Sequence, residues 1–185
     1  MADATGNGAT QLDRAANVFG ALALIVTDQA TDAVTAAAGR SDSAGAALSA
    51  LLHFLDRPSI DRLRQVLGLT SSGTVRLVDR LAESGYVERD QGADGRSTSI
   101  VLTEQGKRAA SQVSAARADV LERSLAVLSS AERAAFERLA SKVLVGMMRG
   151  PGATRWMCRL CNVGICRGAE GGCPVGNAAM ERYGR

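Results

Sequence analysis

The chain has 185 residues, enough for one compact domain plus an appendage. Hydrophobic residues make up 46% and aromatics only 3%, so Ala and Leu must supply the packing, which favours helix on helix. The net charge of +3 is too small to argue for a nucleic-acid partner by itself, and 20 of the 22 basic residues being Arg reads as GC-rich codon usage.

Residues 1–10 lack a basic start and read as a disordered, small-residue leader rather than a secretory signal. The longest apolar run, residues 18–26, falls far short of the roughly 18 residues a membrane span needs, so a cytoplasmic protein is expected. From residue 11 to about 38, Leu12, Ala15, Phe19, Leu22, Val26, Ala30 and Val34 recur at three- and four-residue steps, which predicts a long helix. Residues 39–45 read as a loop and 46–56 as a short helix. That helix holds the only histidine, His53, flanked by Leu51, Leu52, Phe54 and Leu55, and a structural imidazole is the favoured reading.

Pro58, Ser59 and Asp61 start the next helix, and Gly68 ends it. Thr70, Ser71 and Ser72 offer hydroxyls to cap a second helix, which runs to about Ser84 and stops at Gly85. Thr74, Leu77, Val78 and Leu81 share one face of it, and Ser72, Arg76, Asp79, Arg80 and Glu83 share the other. The pattern then switches to strand over 86–90 and 98–102, separated by the Gly- and Asp-rich stretch 91–97. Helix–turn–helix followed by a hairpin is a winged helix, with Arg96 at the hairpin tip. Thr103 caps a helix that passes Val113 and Val120 to Leu128. Ser129 and Glu132 form a capping box for a last helix through Phe136, Leu139, Val143 and Met147, closed by Gly150-Pro151-Gly152.

Residues 75–106, VRLVDRLAESGYVERDQGADGRSTSIVLTEQG, resemble the core signature of the MarR family of transcriptional regulators. There a helix end of the type rLvdrLe-x-x-Gl-v-x-R leads into a wing carrying D-x-R, then v-x-LT-x-x-G. The matching positions are Arg76 to Arg89, then Asp94 and Arg96, then Val101, Leu102, Thr103 and Gly106. The resemblance spans about residues 45 to 148. Gly73 and Val75 stand where many members carry Thr or Ser, which implies a different preferred base sequence.

The resemblance implies a mainly α fold with a small β-hairpin wing. It divides the chain into a leader (1–10), an N-terminal dimerisation helix (11–40), a winged helix-turn-helix domain (45–103), C-terminal dimerisation helices (104–149) and a tail (150–185). It also implies a homodimer reading a pseudo-palindromic operator in double-stranded DNA. Ser71, Ser72, Gly73, Val75 and Arg76 would face the major groove, Arg80 would grip phosphate, and Arg96 would probe the minor groove. An alternative for Arg76 and Arg80 is a solvated ion-pair face with Asp79 and Glu83.

All four cysteines fall in the tail: Cys158, Cys161, Cys166 and Cys173, spaced C-x2-C-x4-C-x6-C with Pro174 after the last. Glycines at 164, 168, 171 and 172 suit tight turns around a centre, and the tail is too short and polar to build a core. Three readings stay open: free thiols acting as a metal-free switch, structural zinc on four thiolates, and an iron–sulfur cluster. The C-x2-C pair, third Cys and terminal Cys-Pro resemble iron–sulfur segments more than zinc ribbons. The first part is similar to cluster-binding stretches of FNR-type and WhiB-like regulators, so a 4Fe–4S cluster is favoured. Trp156 and Met157 would shield it, or Trp156 simply packs, and Arg155, Arg159 and Arg167 would place positive charge beside it.

No phosphate-binding glycine loop, no H-E-x-x-H and no hydrolytic triad occurs, so no enzyme is expected. The sequence points to a dimeric transcriptional repressor whose DNA binding responds, through the cysteines, to redox state, oxygen, nitric oxide or iron. Two alternatives are a regulator answering to a small aromatic effector, with zinc in the tail, and an electron-transfer protein using the winged fold for protein contacts.

Overall fold

The computed structural model describes residues 13–39, 42–91, 98–150, 152, 156–168 and 172–184. The first helix, α1 (Arg14–Ala38), starts where the Asp13 carboxylate accepts the amide N–H of Ala15 at 3.1 Å, and ends at Gly39 with φ 60°. The expected start at 11, with Leu12, lies outside the described residues. The expected loop over 39–45 is shorter than predicted, because α2 (Asp42–His53) is already helical at Gly45. A Cβ on Gly45 would lie 2.2 Å from Val34 Cγ1. This glycine serves a close crossing of α1 and α2 rather than a turn.

The helix–turn–helix forms as its capping residues dictate. Ser59 caps α3 (Ile60–Leu67), Gly68 ends it at φ 67°, and Thr70 Oγ1 accepts the Gly73 N–H to open α4 (Ser71–Glu83). Thr74, Leu77, Val78 and Leu81 of α4 are buried against Leu48, Leu63 and Val66, as the 3.6-residue period requires. After Gly85 (φ 69°) come β1 (Val87–Gln91) and β2 (Thr98–Leu102), antiparallel with Val87 opposite Leu102 and Gln91 opposite Thr98. Ile100 is fully buried, and its N–H donates to the Pro58 carbonyl at 2.9 Å. That bond ties the wing to the start of α3.

Thr103 caps α5 (Glu104–Leu125), and Ser129 with Glu132 forms the expected capping box of α6 (Ser130–Gly146). The end of α5 falls short of Leu128, because residues 126–128 turn the chain into α6. Helix α5 runs along α1 and α2, and its Ala109, Ala110 and Val113 complete the winged core. His53 is half-buried, with Nε2 2.8 Å from Ser114 Oγ of α5, which gives it the structural role expected.

Helix α1 is long and apolar enough, by length and composition, to cross a membrane, although its uninterrupted apolar run is short. Only Val34 and Ala38 are buried, while Val18, Phe19, Leu22, Leu24 and Ile25 are exposed. Helix α6 has the same character: none of its residues is buried, and Phe136, Leu139, Val143 and Leu144 are exposed.

The tail is more structured than its polarity predicted. It carries α7 (Val163–Gly168) and α8 (Pro174–Tyr183). Val175, Ala178 and Ala179 of α8 close a second small core with Met148, joined by Val145, Met157 and Cys173. A segment with too few apolar residues for its own core has borrowed the end of α6. Gly164 and Gly168 sit in helix rather than in turns, whereas Gly172 takes φ 67°.

Candidate functional site

Two regions bring together the residues singled out by sequence. On α4, Ser71, Ser72, Val75, Arg76 and Arg80 are exposed, and Gly73 is half-buried. They line the side of the helix opposite Thr74, Leu77, Val78 and Leu81, and this follows directly from the buried stripe. A Cβ on Gly73 would approach Thr70 Oγ1 to 3.0 Å, so the glycine keeps the capping oxygen uncrowded. Arg76 and Arg80 share a shallow surface pocket with Ser43, Leu69, Gly73 and Leu77. Arg96 and Asp94 lie outside the described residues.

The carboxylate expected to neutralise this face is engaged elsewhere. Arg89 of β1 reaches Asp79 at 2.5 Å, a partner that helix spacing does not reveal because it comes from the strand. Among the described residues, Arg76 and Arg80 make no ion pair, so the ion-pair face with Asp79 and Glu83 does not form. A second pair, Arg57–Asp90 at 2.5 Å, links the turn before α3 to β1, and Arg57 holds a left-handed backbone at φ 44°. Both sequence-distant pairs brace the wing against the helix–turn–helix.

The second region is the cysteine segment. A helical turn at Trp156 and Met157 leads to Cys158, whose carbonyl accepts the Cys161 N–H at 2.9 Å. Cys173 precedes α8, and its Sγ accepts the Gly176 N–H at 3.3 Å, with Pro174 in the first turn. All four thiols are half-buried and none is in a disulfide. The Cys158 thiol is pushed far up by its hydrogen bond to Cys161, by burial, and by the negative charge that Cys161 and Cys173 carry when ionised. The Cys161 thiol is shifted the other way: the hydrogen bond from Cys158 pulls it down, burial opposes this, and Arg117 and Arg159 add to the lowering. Burial pushes Cys166 up, and Cys173 and Cys161 add to this.

The four sulfur groups therefore feel one another. Among the described residues, however, no group of three Cys, His, Asp or Glu side chains stands in a ready metal-binding arrangement. The thiols are neighbours without forming a closed cage. Met157 packs on the α6–α8 core, whereas Trp156 is exposed rather than packed. Arg155 lies outside the described residues. Arg159 donates to the Trp156 carbonyl at 2.6 Å. Sequence reasoning missed Arg117, because nothing in the spacing of α5 indicates which face the tail will cover.

Residues 38–97 match the MarR family. No curated protein sequence matches the chain. Among solved structures, a MarR family protein from Bacillus stearothermophilus superposes with a TM-score of 0.63 at 25% identity, covering 72% of this chain and 92% of that one. MepR, a transcription regulator of the Staphylococcus aureus multidrug efflux pump MepA, gives 0.63 at 17% identity, covering 74% and 100%. A single-residue mutant of S. aureus MepR, solved bound to an oligodeoxyribonucleotide, gives 0.55 at 16% identity over the same shares. Sequence match and architecture agree: residues 38–97 match the MarR family, the fold around them is that of MarR-family winged-helix structures, and the four-cysteine segment lies beyond the matched residues.

Proposed function

We propose that this chain is a cytoplasmic, homodimeric DNA-binding transcriptional regulator, acting as a repressor, whose DNA affinity is set by a 4Fe–4S cluster on Cys158, Cys161, Cys166 and Cys173. The observation that carries the DNA-binding half is the exposed face of α4, where Arg76 and Arg80 stand without ion-pair partners among the described residues. Unneutralised arginines on an outward helix face are what phosphate and base edges attract. A MepR variant of the same fold is known bound to an oligodeoxyribonucleotide. The exposed apolar residues of α1 and α6 supply surface that a partner copy would cover.

The cysteine half rests on the donor set. Four thiols with no disulfide, one accepting a backbone N–H and another flanked by two arginines, suit a four-thiolate centre. Such a cluster, when bound, supplies a centre labile to oxygen and nitric oxide. Drawing the thiols inward on binding would couple cofactor loading to the packing of α8 on α6.

The test is selection of bound duplexes from a random DNA library, followed by gel-shift titration of wild type, Arg76→Ala and Arg80→Ala. Iron, zinc and sulfide analysis of protein purified without oxygen runs alongside it. Sequence-selective binding weakened by both substitutions, with iron and sulfide present, supports the reading. Absence of selective binding overturns its first half. One zinc per chain without sulfide overturns its second and makes the tail structural.

A further inference from the structure

Outside the recognition face, a cavity of about 270 Å³ lies where the tail meets the body of the protein. Val26 and Ala30 of α1 and Leu121 of α5 form its apolar wall, and Met157 and Leu160 close it from the tail. Two cations line it, Arg117 from the body and Arg159 from the tail, and Thr27 and Thr31 of α1 add two hydroxyls. Among the described residues that line it, none is acidic. All of them fall outside residues 38–97, so the family match assigns nothing here.

Arg117 is half-buried, and among the described residues it makes no hydrogen bond or ion pair. Arg159 gives one N–H to the Trp156 carbonyl at 2.6 Å and keeps the rest of its donors. A cation partly withdrawn from water is normally paired. Two of them on one cavity without a carboxylate leave positive charge that an incoming anion would balance.

We propose that this cavity binds a small carboxylate with an apolar body, the size of one ring or a short branched chain. The carboxylate lies between Arg117 and Arg159, since a guanidinium presents N–H donors matched to two carboxylate oxygens. The apolar body covers Val26, Ala30 and Leu121, whereas inorganic phosphate would satisfy the arginines and leave that wall facing water. The volume falls just below the roughly 300–1,000 Å³ of pockets that take drug-sized ligands, which keeps the guest small. No metal at the cysteines is needed for it.

The position of the cavity gives such a guest an effect. Val34, which lines it, also belongs to the winged core, and Met157 also packs on the α6–α8 core. A guest therefore touches both cores and fastens the tail to α1 and α5. Helix α5 begins directly after β2, so the fastening runs from the tail to the helix that leaves the wing.

The test is titration of the full chain with benzoate, benzamide, 4-methylpentanoate and inorganic phosphate, by calorimetry and by tryptophan fluorescence. Trp156 is the only tryptophan and adjoins Met157. Arg117→Gln and Ala30→Leu are compared with wild type, each checked for an unchanged thermal transition. At least one carboxylate should bind with a Kd below about 1 mM, with benzamide and phosphate at least about tenfold weaker. Arg117→Gln should weaken the carboxylate about tenfold to a hundredfold and leave benzamide unchanged, a split that a merely structural role would not produce. Ala30→Leu, which fills the cavity, should abolish binding of both. Failure of both carboxylates to bind wild type by about 1 mM overturns the proposal, as does equal carboxylate affinity in wild type and Arg117→Gln. Phosphate binding as tight as carboxylate overturns the ligand class. Should a variant lose its thermal transition, the ratio of benzoate to benzamide affinity in wild type decides alone. Neither DNA nor metal enters the readout, so the outcome is separate from that of the regulator reading.

Discussion

Arg89 of β1 holds Asp79 of α4 at 2.5 Å. The pair takes up the acidic residue that helix geometry, at three positions' spacing, would have offered Arg76. The strand therefore sets the charge of the recognition helix. Substituting Arg89→Ala returns the Asp79 carboxylate to the face of α4. DNA affinity should fall without loss of the winged fold, measured by fluorescence anisotropy with circular dichroism as the control. Unaltered affinity at low salt would show that this carboxylate has no bearing on DNA.

Arg80→Ala and Arg76→Ala should differ in kind. A phosphate contact contributes equally to every sequence, so Arg80→Ala should weaken binding uniformly and lower the salt slope by about 1. A base contact discriminates, so Arg76→Ala should relax preference at one position of the selected site. Titrations at several salt concentrations on matched and mismatched duplexes separate the two. The same slope change in both variants would assign both arginines to the backbone.

The junction of α4, the wing and α5 is built on one threonine and one glycine. Thr103 Oγ1 donates to the Gly85 carbonyl at 2.5 Å and accepts the Gly106 N–H at 3.0 Å. A Cβ on Gly106 would lie 1.8 Å from the Tyr86 carbonyl oxygen. That contact is with backbone, so Gly106→Ala should cost about 1–3 kcal/mol, the usual range for forced overpacking. Thr103→Ala should cost about 1 kcal/mol as a lost cap. Urea unfolding checks both, and a neutral Gly106→Ala would mean that β1 and α5 can separate freely.

His53 gives stability a pH dependence of definite sign. Burial lowers its pKa below the ordinary 6.5, so the unfolded chain binds the proton more readily than the folded one. Stability contributed by the neutral imidazole is complete above pH 6.5 and declines as pH falls from there toward the lower folded value. The thermal midpoint should therefore drop between pH 7.5 and 5.5, and His53→Gln should flatten that part of the profile. An identical slope in the variant would place the titrating group elsewhere.

Cys161→Ser tests whether the tail and the winged domain depend on each other. The winged core and the α6–α8 core share no residue, so the variant should lose bound metal while retaining the main thermal transition. Loss of the whole fold would make the cysteine site structural for the entire chain.

Local chemistry and hydrophobic period sufficed for much of this protein. Ser59, Thr70, Thr103 and Ser129 cap helices because a hydroxyl three residues before a free amide satisfies it wherever the chain lies. The buried stripe of α4 and the presence of two strands follow from side-chain pattern in the same way, although the first strand forms over 87–91 rather than the expected 86–90. The clustering of four cysteines in sixteen residues is likewise a property of sequence alone. Tertiary structure decided what depends on contacts between distant segments. It made Gly45 part of a helix because Val34 crosses it, gave Asp79 to Arg89 rather than to Arg76 or Arg80, and brought Arg117 to the cysteine segment. It also let α8 fold on the end of α6, where a tail with few apolar residues gains from Met148 and Val145 the burial it cannot supply itself. Caps and periods act within a few residues, whereas ion pairs and shared cores depend on which surfaces the fold brings together.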